Sequence, residues 1–83
     1  MELKDTVEMM ESANYQERYK AEYYQLKIRY DKLMAMLEKY KAGTLHFTPS
    51  CSYELLYEQS IYMKNYLTVL KKRAEIENVK LEG

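Results

Sequence analysis

Only three residues in this chain break helices well, and they cluster where a turn is needed or at the very end: Gly43, Pro49 and Gly83. Between Tyr15 and Ala42 there is neither glycine nor proline, and from Ser50 to Glu82 there is neither again. A chain of 83 residues with so little turn chemistry cannot make many short strands. It is limited to a few long helices. At this size a single core is marginal, and help from a partner copy is expected.

The ends of the elements are marked by cap residues. Asp5 followed by Glu8, and Asn14 followed by Glu17, read as two capping boxes. They predict a short helix near residues 5–11, a break at Ser12-Ala13-Asn14, and a long helix over 15–42. Lys39 and Lys41 suit the negative end of that helix, and Gly43 suits its left-handed closing residue. A loop at 43–48 follows. Thr48-Pro49 reads as the cap and first turn of a last helix over 49–80. Residues 1–83 are therefore expected to form one helical domain. It is all-α: an antiparallel hairpin with a short N-terminal helix.

The apolar residues give each long helix a seam. Tyr19, Tyr23, Leu26, Tyr30, Leu33, Leu37 and Tyr40 step by four and three along the first. Tyr53, Leu56, Ser60, Met63, Leu67, Leu70, Ala74 and Leu81 do so along the second, with Glu77 the one charged intruder. These two seams are expected to face each other. The second helix also has a further stripe. Leu55, Tyr62, Val69 and Ile76 recur every seven residues on another face, with Tyr66 between the two sets. A lone hairpin buries one face of each helix, not two. Either the N-terminal segment (Leu3, Val7, Met10) covers this stripe or another copy of the chain does. Self-association as a homo-oligomeric bundle, most simply a dimer, is the expectation, with Leu55, Tyr62, Tyr66, Val69 and Ile76 at the interface. The plain alternative is a stripe left half-exposed, since soluble proteins keep much apolar surface.

Charge and tyrosine point to a binding site. Net charge is zero, which argues against a duplex nucleic-acid binder. Residues 1–14 carry one lysine against four acids, −3, and residues 15–42 carry seven bases against four acids, +3. Ten tyrosines are present, five of them within residues 14–30. A phenol buries its ring and wets its hydroxyl, so most are explained as rim-of-core residues in a thin bundle. Paired from its loop, however, the hairpin gathers Tyr15, Arg18, Tyr19, Lys20, Tyr23, Tyr24, Lys71, Lys72 and Arg73 at its open end. Aromatic faces stack on bases, and guanidinium and ammonium groups hold phosphate. A small anionic aromatic ligand of nucleotide type fits this set. The bland reading is a solvated charged face paired with Glu17, Glu22, Glu75 and Glu77, or covered by the acidic N-terminus.

Catalytic and metal signatures are missing from the sequence. His46 and Cys51 stand five residues apart without companions, too few for a metal site or a nucleophile with its base. One cysteine makes no internal disulfide. No phosphate-binding glycine loop and no Gly-x-Ser-x-Gly occurs. A cofactor is not implied, and a non-enzymatic protein is expected. The chain has no apolar run of membrane-spanning length, so a cytoplasmic location is the default expectation.

The segments MELKDTVEMM, AEYYQLKIRYDKL, AGTLHFTPSCSYELL and YLTVLKKRAEIE resemble a family of small proteins of phages and prophages of low-GC Gram-positive bacteria. The likeness covers nearly the whole chain and carries over no functional residue. It implies a counter-defence role in a host bacterial cell. By fold-level analogy, the helical anti-CBASS and anti-Thoeris sponges imply a homo-oligomer that sequesters a cyclic nucleotide or ADP-ribose-type immune signal at subunit interfaces. Two other readings stand beside it. One is an anti-CRISPR-type inhibitor whose second stripe docks on a host defence protein. The other is a coiled-coil assembly protein with no ligand.

Overall fold

The computed structural model describes residues 1–81 and contains helices and no strand among them. A 3-10 turn, Leu3–Thr6, runs directly into a one-turn helix α1, Val7–Met10. Two long helices follow, α2 over Tyr15–Ala42 and α3 over Tyr53–Glu77. At 1.5 Å per residue these 28 and 25 residues span about 42 and 37 Å, which accounts for the 43 Å long dimension. The two lie antiparallel as a hairpin.

The caps explain where each helix begins and ends. Asn14 Oδ1 accepts from the Gln16 N–H at 2.8 Å, while the Asn14 N–H donates to Ser12 Oγ at 3.0 Å. Ser12, rather than Glu17, thus takes up the cap's own N–H. Gly43, at φ +74°, closes α2, and the Thr44 N–H donates to Lys39 O at 2.9 Å. The short N-terminal helix differs from the expected 5–11 span. Its first turn is 3-10, and Asp5 Oδ2 caps backward onto the Glu2 N–H at 2.9 Å instead of capping forward toward Glu8.

α3 departs most from the expected 49–80. It starts at Tyr53, because Ser52 rather than Thr48 is the cap, its hydroxyl accepting from the Leu55 N–H at 3.2 Å. Pro49 lies in the loop. The helix ends at Glu77, where Asn78 takes a left-handed conformation at φ +59°. The chain then folds back. Val79 donates its N–H to Ala74 O at 2.9 Å and buries its side chain against the hairpin.

The core runs along the two facing seams and is tightest at the open end. Tyr19, Tyr23, Leu67, Leu70, Ala74 and Val79 form one buried cluster, with Tyr24, Leu26, Tyr30 and Leu81 packed on it. Small residues at Ser60 and Ala74, both buried, let the helices approach closely. Toward the loop, Leu37 is buried, and Tyr40, Tyr53 and Tyr57 form an aromatic ladder with centroids 5.6 and 6.1 Å apart. Leu56 and Met63 are only half-buried.

The N-terminal segment packs on the back of α2. Thr6 is fully buried there. Its hydroxyl donates to Leu3 O at 2.7 Å and accepts from Gln25 Nε2 at 3.3 Å. This segment therefore does not cover the second stripe of α3. Leu55 (55%), Tyr62 (64%), Tyr66 (44%), Val69 (52%) and Ile76 (84%) remain open to solvent.

Two substitutions test this packing. Leu70→Ala is expected to cost about 2.5–5 kcal/mol, because a fully buried side chain leaves a cavity between two helices. Gly43→Ala is expected to cost about 1 kcal/mol through its left-handed backbone alone, since nothing lies within 4 Å of the new Cβ. Urea denaturation of each variant against the wild-type chain measures both.

Candidate ligand-binding clefts

The open end of the hairpin carries its cations on two opposite faces. On one face, Tyr15 in the first turn of α2 meets the last turns of α3. Its hydroxyl donates to Glu77 Oε1 at 2.8 Å and accepts from an Arg73 terminal nitrogen at 3.0 Å. Arg73 Nε also pairs with Glu77 Oε2 at 3.3 Å. The Arg73 guanidinium lies 5.0 Å from the Tyr19 ring centroid. Arg18 sits 6.0 Å over the Tyr15 ring and donates to Ser12 O at 2.9 Å. Tyr15, Arg18, Tyr19 and Arg73, with Met10 and Glu22, line an open cleft of about 380 Å³.

This face is aromatic and cationic, yet balanced. Arg18 and Arg73 stand against Glu22 and Glu77. It therefore offers the exposed Tyr15 ring, guanidinium donors and carboxylate acceptors together, a set able to stack on a planar group and to hydrogen-bond it from both sides. The phenols are held firmly. Tyr19 is buried and its hydroxyl donates to Leu70 O; Tyr66 donates to Glu22. Burial pushes the Tyr19 phenol above its ordinary value of 10.0 despite the opposing charge of Arg73. The bond to Glu22, and then burial, push Tyr66 up as well. For Arg73, partial loss of solvation works against its charge, but its bonds to Glu77 and Tyr15 outweigh that and raise it.

On the opposite face Tyr23 and Lys71 are shared by two clefts. One, of about 200 Å³, lies between the helices and is lined by Lys27, Tyr30, Asp31, Lys64 and Thr68 as well. Lys27 pairs with Asp31 at 3.1 Å, leaving Lys64 and Lys71 as surplus cations. The other, of about 300 Å³, adds Ala74, Glu75, Val79 and Leu81.

The nine residues expected at one site are thus divided. Tyr15, Arg18, Tyr19 and Arg73 come together on the first face, and Tyr23 and Lys71 on the second. Tyr24 packs edge-on to Tyr23 at 5.4 Å, while Lys20 and Lys72 line neither group of clefts. The division has a simple cause: Lys71 and Arg73 are two residues apart on α3, about 200° around the helix. The Lys27, Tyr30, Lys64 and Thr68 group was not expected. Its signal was present, since Lys64 and Lys71 are seven apart and share a helix face. Among the described residues no group of histidine, cysteine, aspartate and glutamate is placed to hold a metal. None of the described helices is long and apolar enough to cross a membrane.

Alkaline titration tests the phenol environment. Raised folded values mean that Tyr19 and Tyr66 contribute stability that is fully present below pH 10.0 and lost as pH rises through those values. The tyrosinate absorbance of the folded protein is expected to show late-titrating phenols, and Tyr66→Phe is expected to remove one of them.

Searches for similarity return no curated protein and no solved structure. A family model described as Sequestin matches residues 13–76, which takes in the Asn14 cap, all of α2 and all of α3 but its last residue. That span includes Arg18, Tyr19 and Arg73 and covers well over half of the chain, so the chain belongs to the Sequestin family.

Proposed function

We propose that this protein is a non-enzymatic sponge that sequesters a nucleotide-type immune signal, as a phage counter-defence factor in the cytoplasm of the host cell. The family's name supports a sequestering role. The resemblance to phage and prophage proteins supports the setting. The observation that carries the ligand class is the pair of guanidiniums on phenol rings in one cleft, Arg73 on Tyr19 at 5.0 Å and Arg18 on Tyr15 at 6.0 Å. The exposed Tyr15 ring takes the base, and Arg18 or Arg73 takes phosphate in exchange for its present partner, with the buried Tyr19 ring as the floor beneath Arg73. Preformed geometry on two rigid helices keeps the cost of ordering low.

The cleft opens on the same face as the uncovered stripe of α3, which supports self-association through Leu55, Tyr62, Tyr66, Val69 and Ile76 with the ligand near the subunit boundary. The same stripe supports a second reading, a host defence protein docked on it. A chain that stays monomeric and binds no nucleotide favours that reading.

Thermal unfolding with a panel of cyclic dinucleotides and cyclic ADP-ribose isomers tests the sponge. A ligand at about 100 times its Kd adds about 2.7 kcal/mol and raises Tm by roughly 10–20 °C in a chain of this size. Arg73→Ala is expected to abolish the shift, while Lys64→Ala and Lys71→Ala, on the other face, retain it. No shift with any member of the panel sinks the reading.

A further inference from the structure

We infer that the open stripe of α3 is covered by the α3 helix of a second copy, running antiparallel about a two-fold axis near Asn65 and Tyr66. Leu55, Tyr62, Tyr66, Val69 and Ile76 fall within a sector of about 80° on the helix, outside the hairpin core. Tyrosine side chains carry about 150–250 Å² each, so these exposures leave roughly 500 Å² of largely apolar surface on one face. Two such faces, with their polar rims, approach the lower limit of about 1,200 Å² for stable interfaces. The groove beside this stripe, about 490 Å³ and lined by Leu55, Glu58, Gln59, Tyr62, Met63 and Tyr66, gives the opposing side chains a place to enter.

Charge chooses the occupant and its direction. The N-terminal half of the stripe is flanked by Glu58, and the C-terminal half by Lys72 on the same flank, with Arg73 inside the sector. A two-fold perpendicular to the helices brings like flanks together in reverse order. Glu58 then meets the partner's Lys72, twice by symmetry. Leu55 meets the partner's Ile76, and Tyr62 the partner's Val69. Arg73 faces the partner's Gln59, and the Tyr66 rings meet near the axis. A parallel pair would instead set Arg73 beside the partner's Arg73 in the middle of the seam, two cations in contact. The surface is thus self-complementary in one orientation only, as an isologous interface must be. Because Arg73 also lines the cleft of Tyr15 and Tyr19, the partner's Leu55 and Gln59 come to the rim of that cleft. If the sponge reading holds, the dimer carries two equivalent sites, each bordered by both chains.

The ligand-free protein tests the pairing, so its outcome is independent of nucleotide binding. Light scattering is expected to give twice the 10.0 kDa chain mass, and Tyr62→Glu to return a folded monomer by circular dichroism. With the exposed Cys51 replaced by serine, Glu58→Cys and Lys72→Cys chains are expected to join through a short thiol cross-linker when mixed, and neither to itself. Glu58→Lys and Lys72→Glu are each expected to weaken the dimer about three- to tenfold, and the double reversal to restore it. A monomer at high micromolar concentration overturns the inference. So does self-linking of Glu58→Cys, or a double reversal that fails to restore the dimer. A dimer that binds no nucleotide leaves the pairing standing and sinks the sponge; a monomer that binds one does the reverse.

Discussion

A two-helix hairpin has one interior, and everything in this structure follows from how tyrosine fills it. The Tyr19 ring is buried between α2 and α3, and its hydroxyl reaches Leu70 O on the facing helix. One side chain thereby supplies apolar area and a polar tie across the same interface. Tyr23 repeats the burial one turn later. In a bundle only two helices thick, an aliphatic core alone would leave little to fix one helix against the other. The phenols supply that register and also set ring faces at the margins of the core, where cations collect.

The same thinness produces the clefts. Positions one step off the seam are at the surface, so Arg73 lies over Tyr19 on one side while Lys71 lies beside Tyr23 on the other. Each face has a different electrostatic character. The Arg73 face is tied up with Glu22 and Glu77, and the Lys71 face keeps an excess of ammonium groups over Asp31. Two chemically distinct clefts therefore arise beside a single short stretch, Lys71-Lys72-Arg73.

Much of the frame was legible in the residues. Asn14 and Gly43 mark the ends of α2 because each satisfies a backbone requirement that depends only on near neighbours. The heptad steps of Tyr19 to Leu37 and Leu67 to Ala74 marked the facing seams for the same reason. The start of α3 was less legible, since Thr48, Ser50 and Ser52 all have side chains able to cap, and Ser52 is the one that does. The return of Val79 onto the core was not legible: it depends on Asn78 taking a left-handed turn that the periodicity of α3 does not announce.

By itself the sequence determined that two long helices form, where the first begins and ends, and that α3 carries more apolar surface than one neighbour can hide. These are properties of local spacing. Tertiary structure alone decided that the N-terminal segment lies on the back of α2, where the buried Thr6 is tied to Gln25, and so leaves the α3 stripe open. It alone divided the expected cluster into an Arg73 face and a Lys71 face. The reason is geometric: which side of a helix meets its neighbour is fixed by packing across the whole interface, and a difference of two residues in sequence becomes opposite sides of the molecule.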